Sequence, residues 1–591
     1  MDSRTRAWNW ILRLIGGICL AVGGMLPAAR LVSAALPADY AEYAARYTQG
    51  LNMVRCLLAL GGIALMLGAP YWRSLFVSTT ARRGDRVFTR KDLWIGAGLL
   101  ALAGLLRIIQ LDSSLTIDEV FLVKALITQS PIRIFLHPSG SAHIFATLTS
   151  NLLVRGFGLS DGVIHLPAFV LGTLSPTLLY LFLALNRRRC AGLIGGIILC
   201  LNPLHIWYSQ EAKGNVPLVF FVVASWLCLA LLARRWRGVT AWAYVVCLVG
   251  AGLSHLSGIL WIFGQLLVVV ALPLQPAGEP NPAMAGKTDI TRLKALGLHM
   301  AGLFAVLIVY APIIPFLTSA GGKVTSQEGS ARLGFLLMNI ASRFTVLDAP
   351  QWLMIPSIAA LFCGVIALIR CRHDILALTA GSFAVGIIFL VLSQTFSHAR
   401  YHMAFLPGVV LLAAVGVATL LSGFRSGTLR GRLAAALGVG LAVLFLAGES
   451  LSLAGYYRQP KSNYRAIASY LASENQDIPA YVVGVNKGGY PALAMTRYTD
   501  DFFTTEDLAK QLSSMRPEAE MWVVVLDPMH LAVSYPELKR ALEQHGSPVR
   551  EFECLGELDQ FRVRTSFVWR VTAEAFRHRL TTTENRSHDI E

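Results

Sequence analysis

Charged residues are scarce in this chain, and their scarcity excludes most classes of soluble protein. Asp, Glu, Lys and Arg together make up 15% of its 591 residues, whereas apolar residues make up 55%. Such a composition is typical of a protein whose main solvent is lipid. We therefore expect an integral membrane protein.

Cysteine is also sparse, and its distribution does not indicate a structural framework. Of the nine cysteines, Cys554 alone lies in the polar part of the chain that follows residue 453. No disulfide or zinc pattern follows from this spacing. The same polar part has no nucleotide-binding glycine loop and no nucleophile elbow, so its sequence indicates neither class of site.

The positive charge of the chain does not indicate nucleic-acid binding, although the formal net charge is +16. The basic residues occur in short clusters between apolar runs, where they set topology and contact anionic lipid headgroups. The first such cluster comprises Arg73, Arg82, Arg83, Arg86, Arg90 and Lys91. By the positive-inside rule this loop is cytoplasmic, as is the N-terminus, and the segment 112–162 faces outward.

Apolar runs that can cross a ~30 Å hydrocarbon core recur from residue 8 to residue 453 and predict about thirteen spans. We predict them at 8–31, 51–72, 93–111, 163–185, 191–207, 216–234, 239–254, 256–273, 295–316, 352–370, 375–393, 402–422 and 433–453. We interpret the first as an uncleaved anchor, with a signal peptide as the alternative. A further apolar segment, 143–157, is interpreted as a helix in the outer interface, with a short true span as the alternative.

The pattern after residue 453 is that of a soluble α/β domain on the outer side of the membrane. Its spacing predicts helices at 464–474 and 536–544 and strands at 481–485, 521–526 and 561–571. The predicted organisation has four parts. They are an additional N-terminal segment (1–92), a transmembrane core (93–453) with the external loop 112–162, an extracytoplasmic domain (454–576) and a disordered tail (577–591).

Three polar clusters follow predicted spans on the outer side. The first is the carboxylate pair Asp118 and Glu119, the second contains Glu211 and Lys213, and the third contains Arg400, Tyr401 and His402. A carboxylate pair in such a place can be a base, a metal ligand, a cation site or a helix cap. The arginine fork suits a phosphate, although basic and aromatic residues also form interfacial belts.

Motifs around these clusters resemble those of glycosyltransferase family 39. SLTIDEV resembles the family's SLW-DEA signature in the first external loop. The stretch HPSGSAHIFATLTSNLLVRGFGLSDGVIHLPAFVLG is similar to HPP-YY-L...FG-SE--LRLP-A--G. YSQEAK, ARYHMAFLP and NYRAIASYL are similar to YS-EAR, -RYL-P-LP and WR-AA-YL, in the same order along the chain. The resemblance covers roughly residues 93–500.

The resemblance also has departures. Thr116 replaces the Trp of the loop motif, and Ser139 replaces the second Pro of HPP. His165 replaces the Arg of LRLP, and Lys213 replaces the Arg of EAR. Positive charge is kept at Lys213, whereas at His165 it depends on pH. Donor and acceptor preferences therefore do not transfer from the family to this chain.

The resemblance implies a polytopic α-helical membrane protein of the GT-C fold in the inner or plasma membrane. It implies transfer of a sugar from a polyprenyl-phosphate donor to an envelope lipid, glycan or protein. Asp118 would be the base, with Glu119 beside it. Lys213, Arg400 and His402 would bind the donor phosphate. The residues expected to orient the substrates are Glu211, His165, His137 and Tyr401.

Three questions stay open on the sequence alone. Asp118 and Glu119 could hold a divalent cation, and the cofactor is otherwise unknown. A transporter or lipid flippase is the main rival function, although the charged motifs lie at span ends and not at the bilayer midplane. A non-catalytic envelope-assembly protein is the second rival.

Overall fold

The structure is a computed structural model, and part of the chain is described in it. The described residues are 3–25, 27–36, 38–76, 87–138, 143–271, 285–316, 354–371, 375–379, 403–458, 460–474, 478–483, 502–503, 515–526, 536–544, 548–555 and 563–573. Contacts divide the chain into two compact units. The helical unit comprises Met1–Ile109, Gln129–Phe157 and Ile164–Leu453, and the sheet unit comprises Gln110–Thr128, Gly158–Val163 and Ala454–Glu591.

Helices make up most of the described chain. Up to the end of the predicted external loop 112–162 they are α1 Ser3–Met25, α2 Ala28–Ala35, α3 Ala44–Leu67, α4 Ala69–Phe76, α5 Arg90–Ile108, α6 Ile117–Leu122, α7 Pro131–Leu136 and α8 Ile144–Phe157. They continue as α9 Asp161–Leu185, α10 Arg189–Leu201, α11 Pro203–Tyr208, α12 Asn215–Arg234, α13 Gly238–Ser254, α14 Ser257–Ala271, α15 Ala285–Tyr310, α16 Met354–Cys371, α17 Leu406–Leu421 and α18 Leu429–Arg458.

Seven of the described helices are long and apolar enough to cross a membrane. Helices account for most of the described residues of every predicted span, with breaks at positions such as Pro27, Gly68 and Asn202, and residues 380–393 of one span lie outside the described residues. The predicted polytopic helical membrane protein is therefore confirmed. Segment 143–157 contains the 14-residue helix α8, Ile144–Phe157, and its interfacial placement stays a prediction.

A proline divides one predicted span into two shorter helices. Residues 191–207 were expected to form one crossing, but the helix ends at Leu201 and a new one begins at Pro203. Proline cannot donate a backbone hydrogen bond and therefore begins a helix more readily than it continues one. Asn202 caps the new helix, because its side chain accepts a hydrogen bond from the His205 N–H at 2.9 Å.

A buried carboxylate fixes the start of α5. Asp92 is 1% exposed and accepts hydrogen bonds from Arg189 Nε at 2.7 Å and from the Tyr180 hydroxyl at 2.8 Å. Thr89 and Asp92 also form a capping box. Because a buried charge is tolerated when it is paired and hydrogen-bonded, this cluster holds α5 against α9 and α10.

The C-terminal part of the sheet unit has two helices, α19 Tyr464–Glu474 and α20 Pro536–Gln544. Its strands are β1 Ala480–Val483, β2 Phe502–Phe503, β3 Glu520–Val525, β4 Arg550–Leu555 and β5 Val563–Thr572. They form one five-stranded sheet in the order β2-β1-β3-β5-β4. The first three are parallel, and β5 runs antiparallel to β3 and β4.

Both faces of this sheet are covered, as its apolar strands predict. Met521, Val523 and Val525 pack with Leu542 of α20 on one face. Trp522 and Val524 pack with α19 on the other. The predicted helices 464–474 and 536–544 and the strands near 481–485, 521–526 and 561–571 are confirmed. Strands β2 and β4 were not predicted.

Candidate functional site

The acidic pair lies on α6, a six-residue helix in the predicted external loop 112–162. Thr116 and Glu119 form a capping box there. Glu119 Oε2 accepts hydrogen bonds from the Thr116 N–H at 2.9 Å and from the Thr116 hydroxyl at 2.8 Å. Glu119 is 1% exposed, whereas Asp118 is half-buried. The two carboxylates therefore differ in their surroundings, because that of Glu119 caps the helix.

The chain after α6 does not continue as a regular α-helix. Residues Val123–Ile127 form a π-helical turn, which ends with the Thr128 hydroxyl bonded to the Val123 carbonyl at 2.9 Å. Such turns are rare and occur often at functional sites. The acidic pair is thus followed by a backbone irregularity that its sequence did not predict.

The second predicted cluster, YSQEAK, forms a tightly buried segment between α11 and α12. Lys213 is 5% exposed, and its Nζ lies 3.4 Å from Oε2 of Glu211, which is fully buried. Neither Glu211 oxygen accepts a hydrogen bond from any residue that the structure describes. Because buried carboxylates in proteins are normally well supplied with donors, this carboxylate could accept hydrogen bonds from a bound molecule.

Glycine is required directly after Lys213. A side-chain carbon at Gly214 would overlap with the carbonyl oxygen of Ser254 and lie 3.0 Å from Nδ1 of His143. The backbone that carries Lys213 therefore packs directly on the end of α13. This close approach fixes the position of the lysine.

Arg107 was not predicted, yet it holds the YSQEAK segment in place. It is fully buried at the end of α5 and donates to Ser209 Oγ at 3.1 Å and to Nδ1 of His205 at 2.6 Å. Its Nη atoms also donate to the carbonyls of Ala103 and Leu199 at 3.0 and 3.2 Å. In turn, Gln210 Nε2 donates to the Arg107 carbonyl at 2.6 Å.

Asn202 extends this buried polar cluster to α18. Its Nδ2 lies 3.2 Å from Oε1 of Glu449, and both residues are fully buried. A carboxyl group within an apolar helix is costly unless it finds a partner. Sequence reasoning missed Arg107 and Glu449 because single polar residues within or beside apolar runs do not reveal their partners.

Two predicted orienting histidines are buried in the helical unit. His165 is 0% exposed within α9, and His137 is 8% exposed where α7 ends. Burial lowers the pKa of His137, so that its imidazole is neutral at neutral pH. The roles of both residues in orienting a substrate stay predictions.

Arg400, Tyr401 and His402 lie outside the described residues. The prediction that all three polar clusters lie on the outer side of the membrane therefore stays a prediction. Among the residues that the structure does describe, no group of three or more His, Cys, Asp or Glu side chains could hold a metal ion. The proposed cation at Asp118 and Glu119 stays a prediction.

Comparisons with known proteins give structural similarity at low sequence identity. ArnT from Cupriavidus metallidurans in the apo state is 14% identical with a TM-score of 0.46, over 82% of this chain and 99% of that one. EmbB, an arabinosyltransferase from Mycobacterium smegmatis, is 13% identical with a TM-score of 0.42, over 71% and 47%. The Archaeoglobus fulgidus oligosaccharyltransferase is 11% identical with a TM-score of 0.41, over 70% and 63%.

No family model matches the chain, and no curated protein matches it either. Membership of glycosyltransferase family 39 therefore stays a prediction from the motifs. Since every TM-score above is below 0.5, the function proposed next rests on the residues of this chain.

Proposed function

We propose that this protein is a membrane glycosyltransferase that moves a sugar from a polyprenyl-phosphate carrier to an envelope acceptor. The proposal has one central observation. Motifs typical of such enzymes place a half-buried aspartate, Asp118, and a buried lysine, Lys213, in two segments that follow apolar helices. The acceptor is a lipid, glycan or protein on the outer face of the membrane.

Asp118 is assigned as the general base. An acceptor hydroxyl or amine must lose a proton while it attacks the anomeric carbon, and a carboxylate can take that proton. Glu119 is less suited to this task, because its Oε2 already accepts two hydrogen bonds from Thr116. We therefore assign the chemistry to Asp118 and the shape of the helix to Glu119.

Lys213 is assigned to the carrier phosphate. As the bond between sugar and phosphate breaks, the electron pair leaves with the phosphate oxygen, and a positive group stabilises the charge that develops there. Glu211 holds Lys213 from 3.4 Å away and has capacity to accept hydrogen bonds from sugar hydroxyls. Arg400 and His402 are assigned to the same phosphate from the motif resemblance alone.

The reaction is a single displacement with inversion at the sugar carbon. The acceptor oxygen or nitrogen forms its bond to the anomeric carbon as the bond to the carrier phosphate breaks, and the acceptor proton passes to Asp118. No covalent sugar–enzyme intermediate is needed. The carrier's apolar tail would lie among membrane helices, because exposing each buried CH₂ to water costs about 0.8 kcal/mol.

The proposal is tested by comparing cell envelopes that have and lack the protein. Mass spectrometry of envelope lipids, glycans and proteins should show a pentose or hexose addition that disappears on deletion and returns with the wild-type chain. A flippase would change the amount of a glycolipid on each leaflet without forming a new sugar linkage. An assembly protein would leave every linkage present and alter only polymer length or retention.

A matched pair of variants assigns the effect to the site. Asp118→Asn should fail to restore the addition, whereas Glu520→Gln should restore it, since Glu520 is an exposed carboxylate paired with Arg570. Equal abundance of both variants in the membrane is the control for folding. Restoration by Asp118→Asn would refute the assignment of the base.

A further inference from the structure

The two ends of the predicted external loop 112–162 pack with the C-terminal domain in one compact unit, whereas its middle part, Gln129–Phe157, belongs to the helical unit. Gln110–Thr128 and Gly158–Val163 belong to the sheet unit, together with the chain from Ala454 onward. The loop includes α6 and therefore Asp118. This grouping raises the question of which contacts of the domain hold the acidic pair.

Arg465, on the first turn of α19, contacts both loop segments. Its Nη1 donates to the Asp112 carbonyl at 3.0 Å and lies 3.2 Å from Oδ2 of Asp112. Its Nη2 donates to Oδ2 of Asp161, whose side chain is 2% exposed. The other oxygen of Asp112 accepts a hydrogen bond from the Gly162 N–H at 3.3 Å. One guanidinium therefore joins the two segments.

Ser462 extends this contact toward the acidic pair. Its hydroxyl donates to the Leu115 carbonyl at 3.0 Å, and the Ser114 hydroxyl donates to the Ser462 carbonyl at 3.0 Å. Thr116 comes next in the chain and is 1% exposed. From there the capping box with Glu119 sets the first turn of α6, which carries Asp118.

The stretch that makes these contacts is itself fixed to the sheet. We call residues 462–465 the anchor strip. Within it, Asn463 is 2% exposed and donates from Nδ2 to the Phe552 carbonyl at 2.9 Å and to Ser566 Oγ at 3.0 Å. Phe552 and Ser566 belong to β4 and β5. The strip thus lies between the sheet and the loop and bonds to both.

We propose that the C-terminal domain, through the anchor strip, positions Asp118 for catalysis, with Arg465 as the principal positioning residue. The inference rests on the proposed function for its catalytic part. The Arg465–Asp112 ion pair adds little to global stability, since the two side chains are 40% and 72% exposed. The pair with the buried Asp161 contributes more to holding the loop. Together they set the geometry of a base that must be accurately placed.

The test compares Arg465→Gln with a matched arginine. Arg570→Gln is the control, because the side chain of Arg570 is 44% exposed and pairs with Glu520 on the same sheet. Rates are measured on purified protein in liposomes, with envelope lipid extract of the deletion strain as the source of donor and acceptor. Arg465→Gln should lower the maximal rate about 10-fold, with little change in the extract concentration at half-saturation, whereas Arg570→Gln should leave both unchanged.

A cross-link separates positioning from a direct role of the charge. The hydroxyls of Ser114 and Ser462 are in contact, so Ser114→Cys with Ser462→Cys can form a disulfide there. In the Arg465→Gln background, oxidation should restore most of the lost rate and reduction should remove it again. Arg465→Gln without the added cysteines, treated alike, controls for the native cysteines. A complete cross-link that restores nothing would overturn the positioning role.

Hydrogen exchange tests the anchoring of α6 without a measurement of sugar transfer. Amides of α6 should exchange about 10-fold faster in Arg465→Gln than in the wild type, and should be unchanged in Arg570→Gln. If the wild type transfers no sugar, the proposed function fails, while this readout still tests the anchoring. Unchanged exchange in Arg465→Gln overturns the anchoring itself, and faster exchange with an unchanged rate overturns its importance for catalysis.

Discussion

Arg107 Nε donates a hydrogen bond to Ser209 Oγ at 3.1 Å, although 102 positions separate the two residues in the chain. The bond joins the end of the helix before the acidic loop to the segment that carries Glu211 and Lys213. The side chains of Arg107 and Ser209 are fully buried. Because an arginine cannot lose its charge within a protein, its polar partners must be kept in place.

Replacing Arg107 should destabilise the helical unit. Arg107→Gln leaves several buried acceptors without a donor and should cost about 3 kcal/mol or more. Arg107→Lys should recover little, since an ammonium cannot reproduce the planar fork. The measurement is the apparent melting temperature in detergent. Arg155→Gln is the control, because Arg155 is exposed and bonds to Gln129 and Asn151; equal melting of all four proteins would contradict the buried cluster.

The Asn202–Glu449 contact predicts an order of stability among variants. Glu449→Gln should melt close to the wild type, because an amide oxygen can still accept from Asn202. Asn202→Ala should cost about 2 to 4 kcal/mol, since it removes the cap of α11 and leaves a buried carboxyl without its amide partner. Thermal unfolding in detergent gives the order. A Glu449→Gln protein less stable than Asn202→Ala would contradict the geometry.

Glu119 and Asp118 should respond differently to amide substitution. Glu119→Gln keeps an oxygen that can accept from Thr116, so the transfer rate should fall less than about 5-fold, whereas Glu119→Ala loses the cap and should fall further. If Glu119 instead held a metal ion or acted as the base, Gln and Ala would be equally damaging. Initial rates of sugar transfer by the two variants distinguish these roles.

Stability should fall in mild acid through His137. Burial lowers its folded-state pKa below the usual value near 6.5, so the unfolded chain binds a proton more readily than the folded one. The stabilisation is therefore complete above pH ~6.5 and decreases as the pH falls below it. Between pH 7.5 and 5.5, the melting temperature of the His137→Gln protein should decrease less than that of the wild type. Parallel curves would exclude His137 as a source of the pH dependence.

Much of the fold could be read from the sequence, because long apolar runs and buried strands have strong local patterns. The helix 464–474 and the strand near 521–526 are examples. Strand β4 was missed because half of its sequence, Arg-Glu-Phe-Glu-Cys-Leu, is charged, and a strand at the edge of a sheet needs few apolar residues. Strand β2 has only two residues and shows no period.

The site was predictable only in part. Motifs predicted Asp118 and Lys213 as site residues, since their neighbours along the chain carry the resemblance, and their roles stay predictions. The partners of these motifs come from distant positions, and a sequence pattern does not show them. Arg465 lies 353 positions after Asp112, and nothing local marks it among the 51 lysines and arginines of the chain. The π-helical turn after α6 was likewise not marked by any local signal.

Sugar transfer by the purified Asp118→Asn protein tests the central claim most directly. The account predicts a rate at least about 100-fold below the wild type, as for loss of a general base, with an unchanged melting temperature and normal insertion. Glu520→Gln, assayed in parallel, should transfer at the wild-type rate. Transfer by Asp118→Asn at the wild-type rate would contradict the account.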